Sequence, residues 1–144
     1  MSVEKSILAG NKAQTLRLKE LIESNPDLSL SLGEGWTVSV ALAHIAFWDR
    51  RVERLLKRWE QDGALPDAVD SALLNEVLLP EWQSLDPTKA AGLALQAAID
   101  GDAAVENADP EKAGAIVMMG YQNLLDRSKH RREHLDQIEA ALGK

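Results

Sequence analysis

Residues 37–63, TVSVALAHIAFWDRRVERLLKRWEQDG, contain the clearest helical pattern in the chain and decide its fold class. Thr37 stands where the N-cap of a helix belongs, and Gly63 stands where helices commonly end. Between them, apolar side chains recur at helical spacing: Val38, Ala41, Leu42, Ile45, Trp48, Val52, Leu55, Leu56 and Trp59. The stretch therefore predicts a long amphipathic helix with one face in a core.

Four further segments have helical patterns, and they cover residues 3–24, 68–79, 87–106 and 117–142. Proline limits them, because it disfavours helical geometry in the residue before it and suits the first helical position. We therefore expect helix ends before Asn25-Pro26 and near Pro80, where a kink is the alternative, and a helix start at Asp86-Pro87. Residues 28–36 alternate like a strand, but no second strand pattern exists to pair with them, which predicts a loop.

Helices without credible strands predict an all-α protein, and short connections favour antiparallel neighbours. The architecture that we expect is an up-and-down four-helix bundle with short extra helical segments. A chain of 144 residues suits one domain, which we place at residues 1–144.

The composition excludes several functional classes. The chain has no cysteine, so disulfides and thiolate chemistry are excluded, and any metal ligands must be nitrogen or oxygen atoms. No stretch approaches ~20 apolar residues and no signal-peptide pattern is present, so we expect a cytoplasmic protein without a membrane partner. The formal net charge of −7 argues against nucleic acid as a partner.

Basic residues nevertheless cluster on two predicted helices: Arg50, Arg51, Arg54, Lys57 and Arg58 on one, and Arg127, Lys129, Arg131 and Arg132 on the other. Such clusters attract anionic substrates in some proteins, but more often they form solvated faces that nearby acids balance. Because acids outnumber bases by 23 to 16, we expect solvated faces.

The chain has three histidines, and their positions indicate a single metal site. His130 and His134 lie four residues apart, so both rings face the same side of a helix and can bind one ion. At ~100° per residue, His134 falls near Ile138 on the helical wheel and His44 falls near Trp48, so all three are expected to point inward. A lone histidine in such a position is usually an ordinary core residue. A set of three histidines that includes a pair four residues apart favours metal binding instead.

Two motif blocks strengthen this interpretation. Residues 36–48, WTVSVALAHIAFW, resemble the second-helix signature of DinB-like proteins, in which a Trp, a hydroxyl cap and a His eight residues after the Trp recur. Residues 130–138, HRREHLDQI, resemble the last-helix motif of that family, His-x-x-x-His followed by an apolar residue and Gln-Ile. The resemblance implies a four-helix bundle that binds a divalent metal ion through His44, His130 and His134.

The resemblance also implies a class of function. Several DinB-like proteins are transferases or isomerases that use low-molecular-weight thiols such as bacillithiol or mycothiol, and family members often form homodimers. Relatives of the maleylpyruvate isomerase type carry Glu in place of the first His of the last-helix pair. This chain has His130 there, which argues against isomerase activity.

A competing motif overlaps the histidine pair, because His130-x-x-Glu133-His134 also satisfies the H-x-x-E-H pattern of inverzincin peptidases. That class takes a further acidic ligand far downstream, whereas only ten residues follow His134 here. Glu133 also lies about 60° from His130 on the wheel, away from His134, which favours a solvent-facing side chain. We therefore reject the peptidase interpretation and keep Glu133 only as a candidate pocket residue.

Three imidazole ligands leave coordination positions open for water or substrate, which is typical of catalytic zinc and also suits Ni, Fe or Mn. Such an ion lowers the pKa of a bound water or thiol. Our first hypothesis is a metal-dependent enzyme, a thiol transferase or a hydrolase, that acts on a small-molecule substrate. The second is a non-catalytic bundle that binds a metal ion or a small ligand, for instance a toxic electrophile in stress protection.

Three neighbouring residues have predicted roles. Trp48 lies one turn from His44 and either walls the pocket or packs in the core, of which core packing is favoured. Asp126 lies one turn before His130 and is a candidate acceptor for its second ring proton. Trp36 is expected to act as a hydrophobic staple at the start of the helix.

Overall fold

The computed structural model describes residues 3–63 and 69–144, and this part of the chain is mostly helical. It contains six α-helices: α1 Lys5–Glu23, α2 Val38–Asp62, α3 Ser71–Ser84, α4 Pro87–Glu106, α5 Pro110–Met118 and α6 Ser128–Ala141. A 3₁₀ turn, Gln122–Leu124, precedes α6, and a two-stranded hairpin precedes α2. The predicted all-α class is confirmed. None of the described helices is both long and apolar enough to cross a lipid bilayer.

Helix α2 begins and ends where its sequence predicts. The Oγ1 atom of Thr37 accepts a hydrogen bond from the backbone N–H of Val40 at 3.1 Å and thereby caps the first turn. Gly63 adopts left-handed backbone geometry with φ of 69°, which glycine allows without steric cost. Residues 38–46 are all buried, so the first half of α2 crosses the interior of the protein.

The segment before α2 forms a hairpin where the sequence pattern predicts a loop over residues 28–36. Strand β1, Ser31–Gly33, pairs antiparallel with β2, Trp36–Thr37. Glu34 and Gly35 make the turn with φ of 55° and 82°, a geometry typical of two-residue hairpin loops. Because β2 has two residues and runs directly into the helix cap, it shows no alternation that a sequence pattern could reveal.

Helix α3 continues through Pro80 instead of ending there. The Oδ1 atom of Asp70 caps the helix by accepting from the N–H of Leu73 at 3.0 Å, and the predicted start at Ala68 lies outside the described residues. Proline removes one helical hydrogen bond, the one to the carbonyl of Glu76. Both Pro80 and Glu76 are exposed, so water can bind that carbonyl and the helix extends by one more turn.

The helix predicted over residues 117–142 is in fact divided, and the prediction of one continuous helix is wrong. Gly120 has φ of 84°, a left-handed conformation that ends α5 just beyond Met118. A new helix starts at Ser128, whose backbone N–H and hydroxyl both donate to Oδ1 of Asp126. His130 and His134 therefore lie in the first two turns of α6 and not in the middle of a long helix.

Helices α1, α2, α4 and α6 contribute the main core, which contains Leu18, Leu42, Ile45, Ala94, Leu135 and Ile138. The most extensive packing joins α2 to α4, whose buried face consists mainly of alanines. Helix α1 packs against α4 and α6, and α6 also contacts α2. This packing places the start of α6 beside the first half of α2.

Candidate metal centre

The three histidines meet where α2 packs against α6. His44 lies in the second turn of α2, and His130 and His134 lie one turn apart on α6. The Nε2 atoms of His44 and His130 are 3.0 Å apart, and the ring centre of His134 lies 4.4 Å from that of His44 and 4.8 Å from that of His130. One potential ligand atom from each ring lies within 4.8 Å of the other two. The structure thus brings together the three residues that the sequence predicts as ligands.

Burial keeps these histidines neutral. Burial, together with the neighbouring rings of His134 and His130, lowers the pKa of His44 to about 3. Burial also lowers the pKa of His130 to about 3, with the charge of Arg127 as the next cause, and it lowers the pKa of His134. Near pH 7 each ring therefore keeps one free lone pair, which is the form that binds metal ions.

Two ring nitrogens of the cluster have unused hydrogen-bonding capacity. Within residues 3–63 and 69–144, the buried Nδ1 atoms of His44 and His134 make no hydrogen bond of good geometry, and Asn75 and Gln137 are the side chains that act on these two rings as hydrogen-bond partners. An unsatisfied buried polar atom costs about 1–3 kcal/mol, and a bound ion or water is a common explanation for one. Three neutral imidazoles are also a donor set that zinc, nickel, iron and manganese accept. The residues at this point therefore fit a divalent metal ion.

A cavity of about 630 Å³ adjoins the histidine cluster. All three histidines line it, and so do the predicted pocket residues Trp48, Asp126 and Glu133. Glu133 is exposed, as its position on the helical wheel predicts, and it lies at the rim. The volume falls within the ~300–1,000 Å³ that is typical of small-molecule sites. The cluster thus adjoins a space that is large enough for a substrate.

Asp126 has a different partner from the one predicted. Its Oδ1 atom accepts hydrogen bonds from the backbone N–H and the hydroxyl of Ser128. The Nδ1 atom of His130 lies instead 3.3 Å from Nη2 of Arg127. The prediction assumed that Asp126 lies one helical turn below His130, but α6 begins only at Ser128.

Aromatic rings surround the histidines on the side of the hairpin and α3. The ring centre of Trp36 lies 5.1 Å from that of His44, and the indole is parallel to the His134 ring at 6.5 Å. The centres of Trp82 and Trp48 lie 5.3 Å and 6.4 Å from that of His44. Trp36 is thus part of the site and not only a staple. Trp82 of α3 was not predicted here, because its sequence neighbourhood carries no link to the histidines.

A buried cluster of charged side chains lies behind the histidines. Asp49 is fully buried, and its two oxygens accept from Nε of Arg127 at 2.9 Å and from Nε of Arg131 at 2.8 Å. Nη1 of Arg131 also donates to Oδ1 of Asp102 at 2.8 Å. The expected solvated face is therefore wrong for Arg127 and Arg131. Both precede Leu135 by multiples of four residues, so helical spacing already indicated that they share its buried face.

Asn11 connects α1 to the same region. Its Nδ2 atom donates to the backbone oxygen of Leu125 at 2.8 Å, and its Oδ1 atom accepts from the backbone N–H of Arg127 at 2.8 Å. These two bonds fix the segment that leads into α6, and with it the orientation of the histidine pair. An asparagine within a helix carries no sequence signal for this role.

Comparisons of the chain with protein-family models, with curated proteins and with solved structures return no match. The histidine cluster and its surroundings are therefore the features from which a function can be inferred. They combine three neutral imidazoles, a cavity beside them and an aromatic wall.

Proposed function

We propose that the protein binds a divalent metal ion through His44, His130 and His134 and uses it to act on a small molecule in the adjoining cavity. The observation that carries this proposal is the convergence of three neutral imidazoles beside a cavity of about 630 Å³. Three protein ligands leave coordination positions open, as in catalytic zinc sites. Zinc, nickel, iron and manganese are the candidates, because nitrogen ligands suit all four and the chain has no thiolate.

The proposed reaction class is the transfer of a low-molecular-weight thiol to an electrophile, with hydrolysis as the variant in which water is the nucleophile. When bound, the ion supplies Lewis acidity, which lowers the pKa of a thiol or water beside it. The protein supplies the rest. Burial keeps the histidines neutral near pH 7, and the indoles of Trp36 and Trp48 give the cavity an apolar wall that orients a ligand and displaces water.

The proposal includes an architecture and a family relationship. We assign α1, α2, α4 and α6, the helices around the main core, as the four members of an up-and-down bundle. The motif blocks at residues 36–48 and 130–138 support a DinB-like relationship, because all three proposed ligands fall within them. A cellular thiol is accordingly the proposed substrate class.

A non-catalytic role for the ion is the second candidate, and one observation favours it. His44 and His130 come from different helices and are separated by 86 positions in the chain, so an ion bound to both would tie α2 to α6. In this non-catalytic alternative, the cavity would bind a small ligand, such as a toxic electrophile, without converting it to a product. The His44→Ala variant would then melt at a much lower temperature than the metal-loaded unmutated protein.

Elemental analysis of protein purified without a histidine tag tests metal binding. We expect about one divalent ion per chain in the unmutated protein and almost none in His44→Ala or His130→Ala. Glu133→Gln is the matched control, because Glu133 lies next to His134 on α6 but is exposed, and this variant should retain the ion. An unmutated protein that stays metal-free after incubation with zinc, nickel, iron or manganese would refute the proposal.

Calorimetric titration of the zinc-loaded protein with cysteine, glutathione and bacillithiol tests the substrate class, with serine as the control for the thiol. We expect one of the thiols to bind to the loaded protein and none to bind to His130→Ala. If all three thiols behave like serine, thiol transfer is excluded, and the hydrolytic variant and the non-catalytic candidate remain.

A further inference from the structure

Arg127 places a guanidinium against a histidine that is a proposed metal ligand. Its side chain is buried, its Nε atom donates to Asp49 at 2.9 Å, and its Nη1 atom donates to the backbone oxygen of Asn123 at 3.1 Å. Its Nη2 atom lies 3.3 Å from Nδ1 of His130. A guanidinium only donates hydrogen bonds, so Nδ1 of His130 is the acceptor in this contact.

This contact fixes the positions of the protons in the metal-free cluster. With Nδ1 as an acceptor, neutral His130 carries its proton on Nε2. That proton points to Nε2 of His44, 3.0 Å away, which must then accept it. His44 in turn carries its own proton on Nδ1, the buried atom that makes no hydrogen bond of good geometry in the described part of the chain. One set of tautomers thus accounts for both contacts.

The same set of tautomers is incompatible with metal binding through Nε2 of His130. A neutral histidine that binds an ion through Nε2 carries its proton on Nδ1, and that N–H would face the N–H of Arg127. Metal binding therefore removes His130 as the acceptor for Nη2. Because Asp49 and Asn123 hold the other two nitrogens, the guanidinium stays in the cavity wall with N–H groups free to bind a ligand.

The surrounding charges favour a negative ligand at this point. Asp49 is shared between Arg127 and Arg131, and Arg131 has a second carboxylate, Asp102, with which Arg127 forms no ion pair. Asp126, an acid in the cavity wall, already accepts two hydrogen bonds from the start of α6. A bound divalent ion adds further positive charge to the same space. One negative group on the ligand would offset part of the charge of the ion, and Arg127 can donate hydrogen bonds to that group.

We propose that Arg127 binds a carboxylate of the ligand that occupies the histidine cavity, and that it does so when the metal ion is bound. This inference rests on the proposed metal site and names the class of molecule that it takes. The ligand is a small carboxylate whose apolar part lies against Trp36 and Trp48, which line the same cavity. A planar guanidinium matches a carboxylate in both geometry and charge.

Calorimetric titration of the zinc-loaded protein with benzoate tests the inference, with benzamide as the uncharged match. We expect benzoate to bind about tenfold more tightly than benzamide, since charge-assisted hydrogen bonds are the stronger ones. Arg127→Gln should abolish that preference. Lys129→Gln is the matched control, because Lys129 lines the same cavity and has the same charge but is exposed. It should weaken benzoate binding less than about threefold.

Arg127→Lys provides a second variant should the glutamine variant fail to fold, because it keeps a positive charge beside Asp49. It should also lose most of the preference for benzoate, since an ammonium group cannot reproduce the guanidinium fork. Equal affinities for benzoate and benzamide in the unmutated protein, or equal losses in the Arg127 and Lys129 variants, would overturn the inference.

The tautomers provide a test that needs no added ligand. Nitrogen NMR spectra of the metal-free protein should show His130 protonated on Nε2 and His44 on Nδ1, and zinc should move the proton of His130 to Nδ1. A proton on Nδ1 of His130 in the metal-free protein would overturn the inference. Elemental analysis of the same samples separates the two proposals: a protein without zinc refutes the proposed function, whereas a zinc-loaded protein without a preference for benzoate refutes only the role of Arg127.

Discussion

Replacing Asp49 by asparagine tests the buried charge cluster that supports the histidines. Asparagine keeps the size of the side chain but exchanges one oxygen for an NH₂ group, so one of the two guanidinium donors would face another donor. The cluster would also lose a negative charge. Arg127 and Arg131 would retain only Asp102 as a carboxylate partner, which leaves one positive charge in excess.

The expected loss of stability is large, because these groups are almost entirely shielded from water. Asp49 and Arg131 are both fully buried, and Arg127 is 7% exposed. Breaking a buried ion pair by removing one partner costs about 3–5 kcal/mol, which is a fifth or more of the stability of a typical domain, ~5–15 kcal/mol. In a domain of this size, 1 kcal/mol shifts the melting temperature by roughly 2–4 °C. Asp49→Asn should therefore lower the melting temperature by about 6–20 °C.

Urea unfolding of the metal-free proteins, followed by far-ultraviolet circular dichroism, measures the difference. Asp136→Asn is the control, because Asp136 pairs with Arg17 at the surface and its side chain is 62% exposed. Its loss should stay below about 1 kcal/mol. A loss for Asp49→Asn no larger than that of the control would refute the reasoning that Asp49 compensates two buried cations.

Three further perturbations are measured by the same unfolding assay. Thr37→Ala should cost about 1 kcal/mol, because it removes the acceptor for the N–H of Val40; an unchanged midpoint would contradict this. Zinc at about 100 times its dissociation constant should add about 2.7 kcal/mol of stability, and His134→Ala should abolish that gain. The metal-free protein should lose stability as the pH falls from about 6.5 towards 3. The reason is that the folded state holds the pKa of His44 and His130 at about 3, so the unfolded state takes up protons first. Replacing both by glutamine should flatten the dependence, and an equally steep profile would count against the buried neutral rings.

The histidine cluster could be predicted because its ligands carry a local signal. The i, i+4 spacing of His130 and His134 and the apolar stripe around His44 are both properties of single helices. Both signals can be recognised in the sequence without knowing which helices contact each other. The patterns of single helices could not show that α2 and α6 are neighbours. The expectation that these two helices touch came from the resemblance of two short blocks to one family.

The charge cluster could not be predicted in the same way. Asp49 lies 78 positions from Arg127 and 82 from Arg131. The sequence around the two arginines therefore shows a basic stretch but not the carboxylate that pairs with it. The wheel position of Arg131, one turn before Leu135 on the buried face of α6, was the available signal, whereas Arg127 precedes the helix. We gave more weight to the general rule that basic runs face water than to this signal.

Two local predictions were wrong: the loop over residues 28–36 and the continuous helix over residues 117–142. The second strand of the hairpin has two residues, too few for a period of two to appear, so the alternation at residues 28–36 lacked a visible partner. The break between α5 and α6 depends on the left-handed φ of Gly120 and on the hydrogen bonds that Asp126 accepts from Ser128 at the start of the new helix. Apolar residues on both sides of this break, Leu124 and Leu135 among them, kept a helical spacing that disguised it.

The aromatic wall gives the protein an optical reporter of its own. The indoles of Trp36, Trp48 and Trp82 lie in ring contact with His44, whereas Trp59 donates to the backbone oxygen of Lys112 and packs in a separate cluster. Zinc has a filled d shell and leaves indole emission intact, but an ion with unpaired d electrons quenches it at such short range. The fluorescence of three tryptophans would therefore distinguish zinc from nickel, iron or manganese, with the fourth as an internal reference.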